Sequence, residues 1–200
     1  MSRAFTPDEV AQIRDRILLA AADSFAIRGL RGTTVEWLAR AAGISKGGFY
    51  AFFASKEAVF LALVEQYELR THAAVEAAVR RDPRRGLEVL LTSTLRAADE
   101  YPFLAVLMSD EGLAVLRGLS PQQQDEMLHR DERMVARAFA ALDEAGLRPS
   151  ASQAVLLGLL RTLFFVGWHR RDIGTDLADE VETWLTPVLR TALVGPEPSS

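Results

Sequence analysis

Residues 33–53 read TTVEWLARAAGISKGGFYAFF, and this stretch decides the fold. Thr33 to Glu36 matches an S/T-x-x-E capping box, and Val35, Leu38 and Ala39 follow as a short apolar stripe. Gly43 ends that helix, and Ser45 is placed to cap a second one running to about Phe53. Two short helices joined by a glycine turn make a helix-turn-helix. Val35, Leu38, Ile44, Phe49 and Phe52 are the side chains available to pack the pair against a preceding helix. That leaves Thr33, Thr34, Ser45, Lys46, Gly47, Gly48, Tyr50 and Ala51 outward or at helix starts.

Glycine inside a helix costs about 1 kcal/mol relative to alanine, so the adjacent Gly47 and Gly48 call for a reason. Close approach of the backbone to DNA phosphates is one; a plain loop over 45–48 is the other. The only two lysines of the chain, Lys46 and Lys56, flank this segment. They read as phosphate contacts, the alternative being solvated surface lysines. Tyr50 is either a phosphate donor or a half-buried core residue.

Working outward, helix punctuation recurs and strand signals are scarce. Thr6-Pro7-Asp8-Glu9 opens a first helix whose Ile13, Ile17, Ala21 and Phe25 recur at fours until Gly29. Ser55 opens a long helix with Val59, Phe60, Leu63, Val64 and Tyr67 on one face. Asp82-Pro83, Tyr101-Pro102 and Ser120-Pro121 break and restart the chain, Gly146 ends the helix over about 121–145, and another covers about 151–172. A last helix carries Leu177, Val181, Trp184, Leu185, Val188 and Ala192, with a bend expected at Pro187. The expectation is an all-α protein of about nine helices.

Composition narrows the function. The 200 residues are 49% hydrophobic and 25% charged, as in a folded globular chain. Cysteine is absent, which excludes disulfides, thiol catalysis and cysteine-ligated metals and fits a cytoplasmic location. The N-terminus lacks the apolar core of a signal peptide. The longest apolar run, Ala154 to Trp168, is interrupted by Arg161 and Thr162 and suits a buried helix better than a membrane span. Net charge is −4, but residues 1–60 carry +2 and the remainder −6. His72, His129 and His169 are scattered, and neither an HExxH pair, a G-x-S-x-G elbow nor a phosphate loop occurs. No enzyme activity, cofactor or metal is expected.

The segment from Thr33 to Phe60 closely resembles the DNA-binding domain of TetR-family regulators, in which "TT...IA..AG.S.G..Y.HF.SK..L" is usual; the likeness spans about residues 10–65. It implies a homodimer, with a DNA-binding domain over 1–55 and an effector-binding and dimerisation domain over 56–194. Residues 195–200 are expected to be a disordered tail. Carried over by position, contacts to double-stranded operator DNA fall on Thr34, Ser45, Lys46, Gly47, Gly48, Tyr50 and Lys56, with Thr33 and Ala51 beside them. Arg40 and Arg3 are further candidates. Gly48 and Ala51 stand where the family commonly has larger or more polar residues, so readout leans on the remaining contacts and on DNA shape.

For a small-molecule effector, apolar or aromatic, the candidate liners are Tyr67, Leu95, Phe103, Leu107, Met134, Thr162, Phe165, Trp168 and His169. For the dimer interface, built from the last two helices, they are Leu156, Leu160, Phe164, Val181, Trp184, Leu185 and Val188. The resemblance favours a repressor, and the mechanism expected is a two-state dimer in which effector binding swings the helix over about 56–80 and weakens DNA binding. Two alternatives are a constitutive DNA-binding protein without effector and a small-molecule-binding dimer with degenerate DNA reading.

Overall fold

The computed structural model describes residues 6–194; Arg3 and the segment 195–200 lie outside the described residues. Every regular element among them is helical: α1 Pro7–Gly32, α2 Val35–Ala41, α3 Lys46–Phe49, α4 Lys56–Arg81 and α5 Pro83–Glu100. A 3-10 helix, Pro102–Met108, precedes α6 Asp110–Arg117, α7 Pro121–Glu144, α8 Gln153–Trp168, α9 Arg170–Ile173 and α10 Thr175–Val194. None of the described helices is long and apolar enough to cross a membrane.

The count exceeds nine because two expected helices are each divided. Ser109 breaks the 102–117 stretch: its hydroxyl donates to the Val106 carbonyl (2.7 Å) and accepts from the Gly112 amide (3.2 Å), so it closes one helix and caps the next. His169 separates α8 from α9. The helix expected to reach Phe53 keeps α-geometry only over Lys46–Phe49. Beyond it Ala51 and Phe52 bond three residues back, to Gly48 and Phe49, a tighter winding after a glycine pair of low helix propensity. α10 runs on through Pro187.

The chain forms two compact units. One holds the residues up to Tyr67 together with Tyr101–Gly118; the other holds Glu68–Glu100 and the chain from Leu119 onward. Residues 56–67 and 101–118 pack with the helix-turn-helix, because Val59, Phe60, Leu63, Phe103, Leu104 and Val106 bury their side chains in that unit. Phe25 and Phe60 meet edge to face at 5.9 Å there. Glu111, at the start of α6, accepts from the Arg31 amide at 2.8 Å, in the last turn of α1.

In the second unit Leu87, Leu91, Leu95, Val135, Leu142, Leu156, Leu160 and Leu163 form the core. α5 and α8 approach so closely that a Cβ on Gly167 would lie 2.1 Å from the Leu95 carbonyl oxygen; only glycine fits. An ion cluster around the buried Arg170–Glu182 pair ties α9 and α10 to α5. Arg170 meets Asp99 (3.0 Å), Glu182 (2.7 Å) and Asp179, and Arg96 meets the other Glu182 oxygen at 2.7 Å. Burial opposes the charge on Arg170, and the carboxylates, Glu182 foremost, overcome it and hold the guanidinium above its ordinary pKa.

Candidate nucleic-acid interface

Three local devices shape the helix-turn-helix. Thr34 caps α2, its hydroxyl accepting from the Trp37 amide at 3.2 Å, and Ser45 caps α3 by accepting from the Gly48 amide at 3.0 Å. Gly43, at φ 74°, makes the turn between them; the Ile44 amide reaches back to the Ala39 carbonyl (2.9 Å) and the Gly43 amide to that of Arg40 (3.0 Å). α1 then fixes the pair. Arg16 Nε donates to the Ala42 carbonyl at 3.0 Å, and the Arg14 guanidinium stacks on Phe53, 4.5 Å from the ring centre. Leu38 and Phe49 are fully buried beneath, while Val35, Ile44 and Phe52 are half-buried.

On this base, Thr34, Ser45, Lys46, Gly47, Tyr50 and Ala51 are exposed together and Gly48 is half-exposed. Tyr50 rests its ring edge on Phe49 (5.6 Å) with about half its surface in solvent, so it is not a core tyrosine. A Cβ on Gly47 would find open room, 3.9 Å from Ser45 Oγ at the nearest; on Gly48 it would press that same oxygen at 3.3 Å.

Two expectations are corrected. Thr33 is not at the surface: it is fully buried, its hydroxyl bonding Ser24 (2.8 Å) and the Gly29 carbonyl (2.9 Å). The cap is Thr34, so the Thr33–Glu36 box does not form. Lys56 does not point to solvent as a phosphate contact would. Its ammonium donates to the carbonyls of Leu30 (2.7 Å) and Thr33 (3.0 Å) and so ties α4 to the turn between α1 and α2.

Two features escaped the sequence reading. Glu36, released from the capping role, pairs with Lys46 at 2.5 Å across the helix-turn-helix. Lys46 draws the Glu36 carboxyl below its ordinary pKa by its hydrogen bond, and Glu36 in return raises the ammonium. Arg28 stacks on Trp37 at 5.2 Å. Neither pairing has a helical sequence spacing that would reveal it.

The model of bacterial regulatory proteins of the tetR family matches residues 17–63, the helices just described. Over 185 residues the chain is 30% identical to an HTH-type transcriptional regulator of Mycobacterium tuberculosis, covering 89% of this chain and 88% of that one. This chain belongs to the tetR family. It is also 29% identical to the HTH-type transcriptional regulator RutR of Escherichia coli over 183 residues, 90% of this chain and 82% of the relative. The transcriptional regulator FadR of Bacillus subtilis, solved in complex with stearoyl-CoA, shares the fold, with a TM-score of 0.66 at 16% identity over 89% of this chain and 98% of that one. The protein is thus a DNA-binding transcriptional regulator of the tetR family.

The remaining expected sites of this tetR-family regulator divide between its two units. In the first, Tyr67 packs on Tyr101 (4.9 Å) and Tyr101 on Phe103 (6.2 Å); Phe103 is buried and Leu107 half-buried. In the second, Leu95 and Met134 are buried and Trp168 half-buried. Thr162, Phe165 and His169 do not line an interior: they are exposed on α8, Thr162 bonding its own Gly158 carbonyl and His169 pairing with Asp172. Leu156 and Leu160 are corrected the other way, buried within the single chain against α5. Phe164 and Leu185 are half-buried, while Val181, Trp184 and Val188 are exposed, Trp184 by 68%. The unpartnered apolar side chains of α8 are Val155, Phe165 and Val166.

Proposed function

We propose that this chain is a ligand-responsive repressor that acts in the cytoplasm as a homodimer on a palindromic operator. The observation carrying this reading is the exposed row Thr34, Ser45, Lys46, Gly47, Tyr50 and Ala51, set on a rigid buried base of Thr33, Leu38 and Phe49. A surface so placed, with hydroxyls, an ammonium and close-approach glycine, suits phosphate positioning and base-edge contact in a major groove. Gly48 joins it through its backbone; Thr33 and Lys56 hold the base in shape.

Dimerisation follows from two apolar stripes. Val155, Phe165 and Val166 on α8 and Leu177, Val181, Trp184 and Val188 on α10 are exposed in the single chain. Large apolar side chains in such number mark a covered surface, and pairing with a second copy buries both stripes in a four-helix interface. For the effector, the stearoyl-CoA held by FadR supports an apolar ligand. A groove of about 160 Å³ in the second unit is lined by the apolar Val75, Val79, Met134 and Ala138 and by Glu76 with its ion partners Arg80 and Arg137, room for a short apolar group. Effector binding there is coupled to DNA release by about 1–3 kcal/mol.

The test is selection of genome fragments with the purified protein, followed by binding to the recovered duplex across a salt series. A palindrome bound with a steep salt dependence, and released by an apolar compound, bears the reading out. Weak binding that ignores sequence defeats it.

A further inference from the structure

Resting on that DNA-binding reading, we infer that Glu36 is a charge brake: it neutralises Lys46 at the reading surface and so suppresses sequence-independent attraction to DNA. Lys46 is the only lysine on the exposed face of the helix-turn-helix, since Lys56 is committed to backbone carbonyls. The ammonium lies 2.5 Å from Glu36, with both side chains about half exposed. Thr34 supplies the side-chain cap of α2, and the Glu36 carboxylate in the first turn, besides its bond to its own amide, reaches across to Lys46 of the recognition segment.

The physical consequence is direct. A lysine that neutralises a phosphate releases condensed counterions, each such contact adding about 0.9 to the slope of log K against log salt. A lysine already paired with a carboxylate brings no net charge to the phosphate, and entering DNA requires the pair to separate or a carboxylate to approach the backbone. Random DNA, which offers only phosphates, gains least from this surface.

The experiment measures binding of a labelled random-sequence duplex and the selected operator duplex across a salt series, for the wild type, Glu36→Gln, Lys46→Gln and the double variant. Both positions are exposed, so unfolding midpoints serve as a check that each variant folds. Glu36→Gln is expected to steepen the random-duplex slope by about 1.8 per dimer, and to tighten binding roughly tenfold at physiological salt. In the Lys46→Gln background the same substitution is expected to give a clearly smaller gain, from relief of phosphate repulsion alone, and Glu36→Asp to stay near the wild type.

An equal gain with and without Lys46 overturns the inference, because it means Glu36 acts by plain repulsion of phosphates. No gain in either background overturns it too. If the wild type binds neither duplex, the DNA-binding reading itself fails, and the operator measurement shows which of the two has fallen.

Discussion

Lys56→Met separates two roles that a lysine beside a helix-turn-helix can play. The substitution keeps most of the apolar stem and removes the ammonium. Its two hydrogen bonds, 2.7 Å to Leu30 and 3.0 Å to Thr33, hold backbone carbonyls at the end of α1 and in the turn to α2. A hydrogen bond to a charged group contributes about 1.5–3 kcal/mol when buried. This site is half-exposed, and water replaces part of what is lost, so the pair is worth about 2–3 kcal/mol together. Urea unfolding of the free protein is expected to show a loss of that size. The slope of log K against log salt for operator binding should stay as in the wild type, because the ammonium does not serve a phosphate. Unchanged stability with a slope reduced by about 1.8 per dimer would refute the reasoning and restore Lys56 as a phosphate contact.

Thr33→Val removes a buried hydroxyl and strands Ser24 Oγ and the Gly29 carbonyl; a loss of about 1–2 kcal/mol in urea unfolding is expected, with the operator footprint unaltered. A changed footprint would return Thr33 to the DNA surface. Trp184→Glu puts a charge in the middle of the exposed α10 stripe, and sedimentation equilibrium should then show a monomer with intact helicity. An undisturbed dimer would place the interface elsewhere. His129 is raised above its ordinary pKa of 6.5, first by its hydrogen bond with Glu132 and then by Asp125 and Glu132 charge. A raised folded-state pKa means the stabilisation is fully present below about 6.5 and is lost as pH rises through the raised value. An imidazole NMR titration should therefore find His129 above a model histidine, and Asp125→Asn should lower it.

The helix-turn-helix was legible because its signals are local. Thr6, Ser45 and Gly43 act within four residues of themselves, and their types name their roles. Thr33 and Thr34 show where locality fails. Both are hydroxyl residues at the start of α2, and the choice of cap depends on how the chain leaves Gly29, at φ 67°, and meets Ser24. α8 fails differently. It is apolar nearly all round, so its composition has no bias toward one side, and Leu156 and Leu160 look no different from Val155 or Phe165. Only the close approach of α5 decides which side is inner, and the clue to it, Gly167 in line with Leu156, Leu160 and Leu163, lies in an absent side chain.

α10 is apolar on two sides. Leu177, Val181, Trp184 and Val188 face outward, while the face turned to its own chain carries Ala178, Leu185, Leu189 and Leu193 together with Glu182 and Thr186, both almost fully buried. A buried carboxylate is tolerated only when paired, and Glu182 is paired twice, by Arg96 from α5 and Arg170 from α9. The ion cluster thus lets α10 carry a carboxylate on the same inner face as Leu185, Leu189 and Leu193, which pack on the core. With the inner face held by these leucines and by the Arg170–Glu182 pair together, the stripe with Trp184 stays outside, where the proposed pairing with a second copy would cover it.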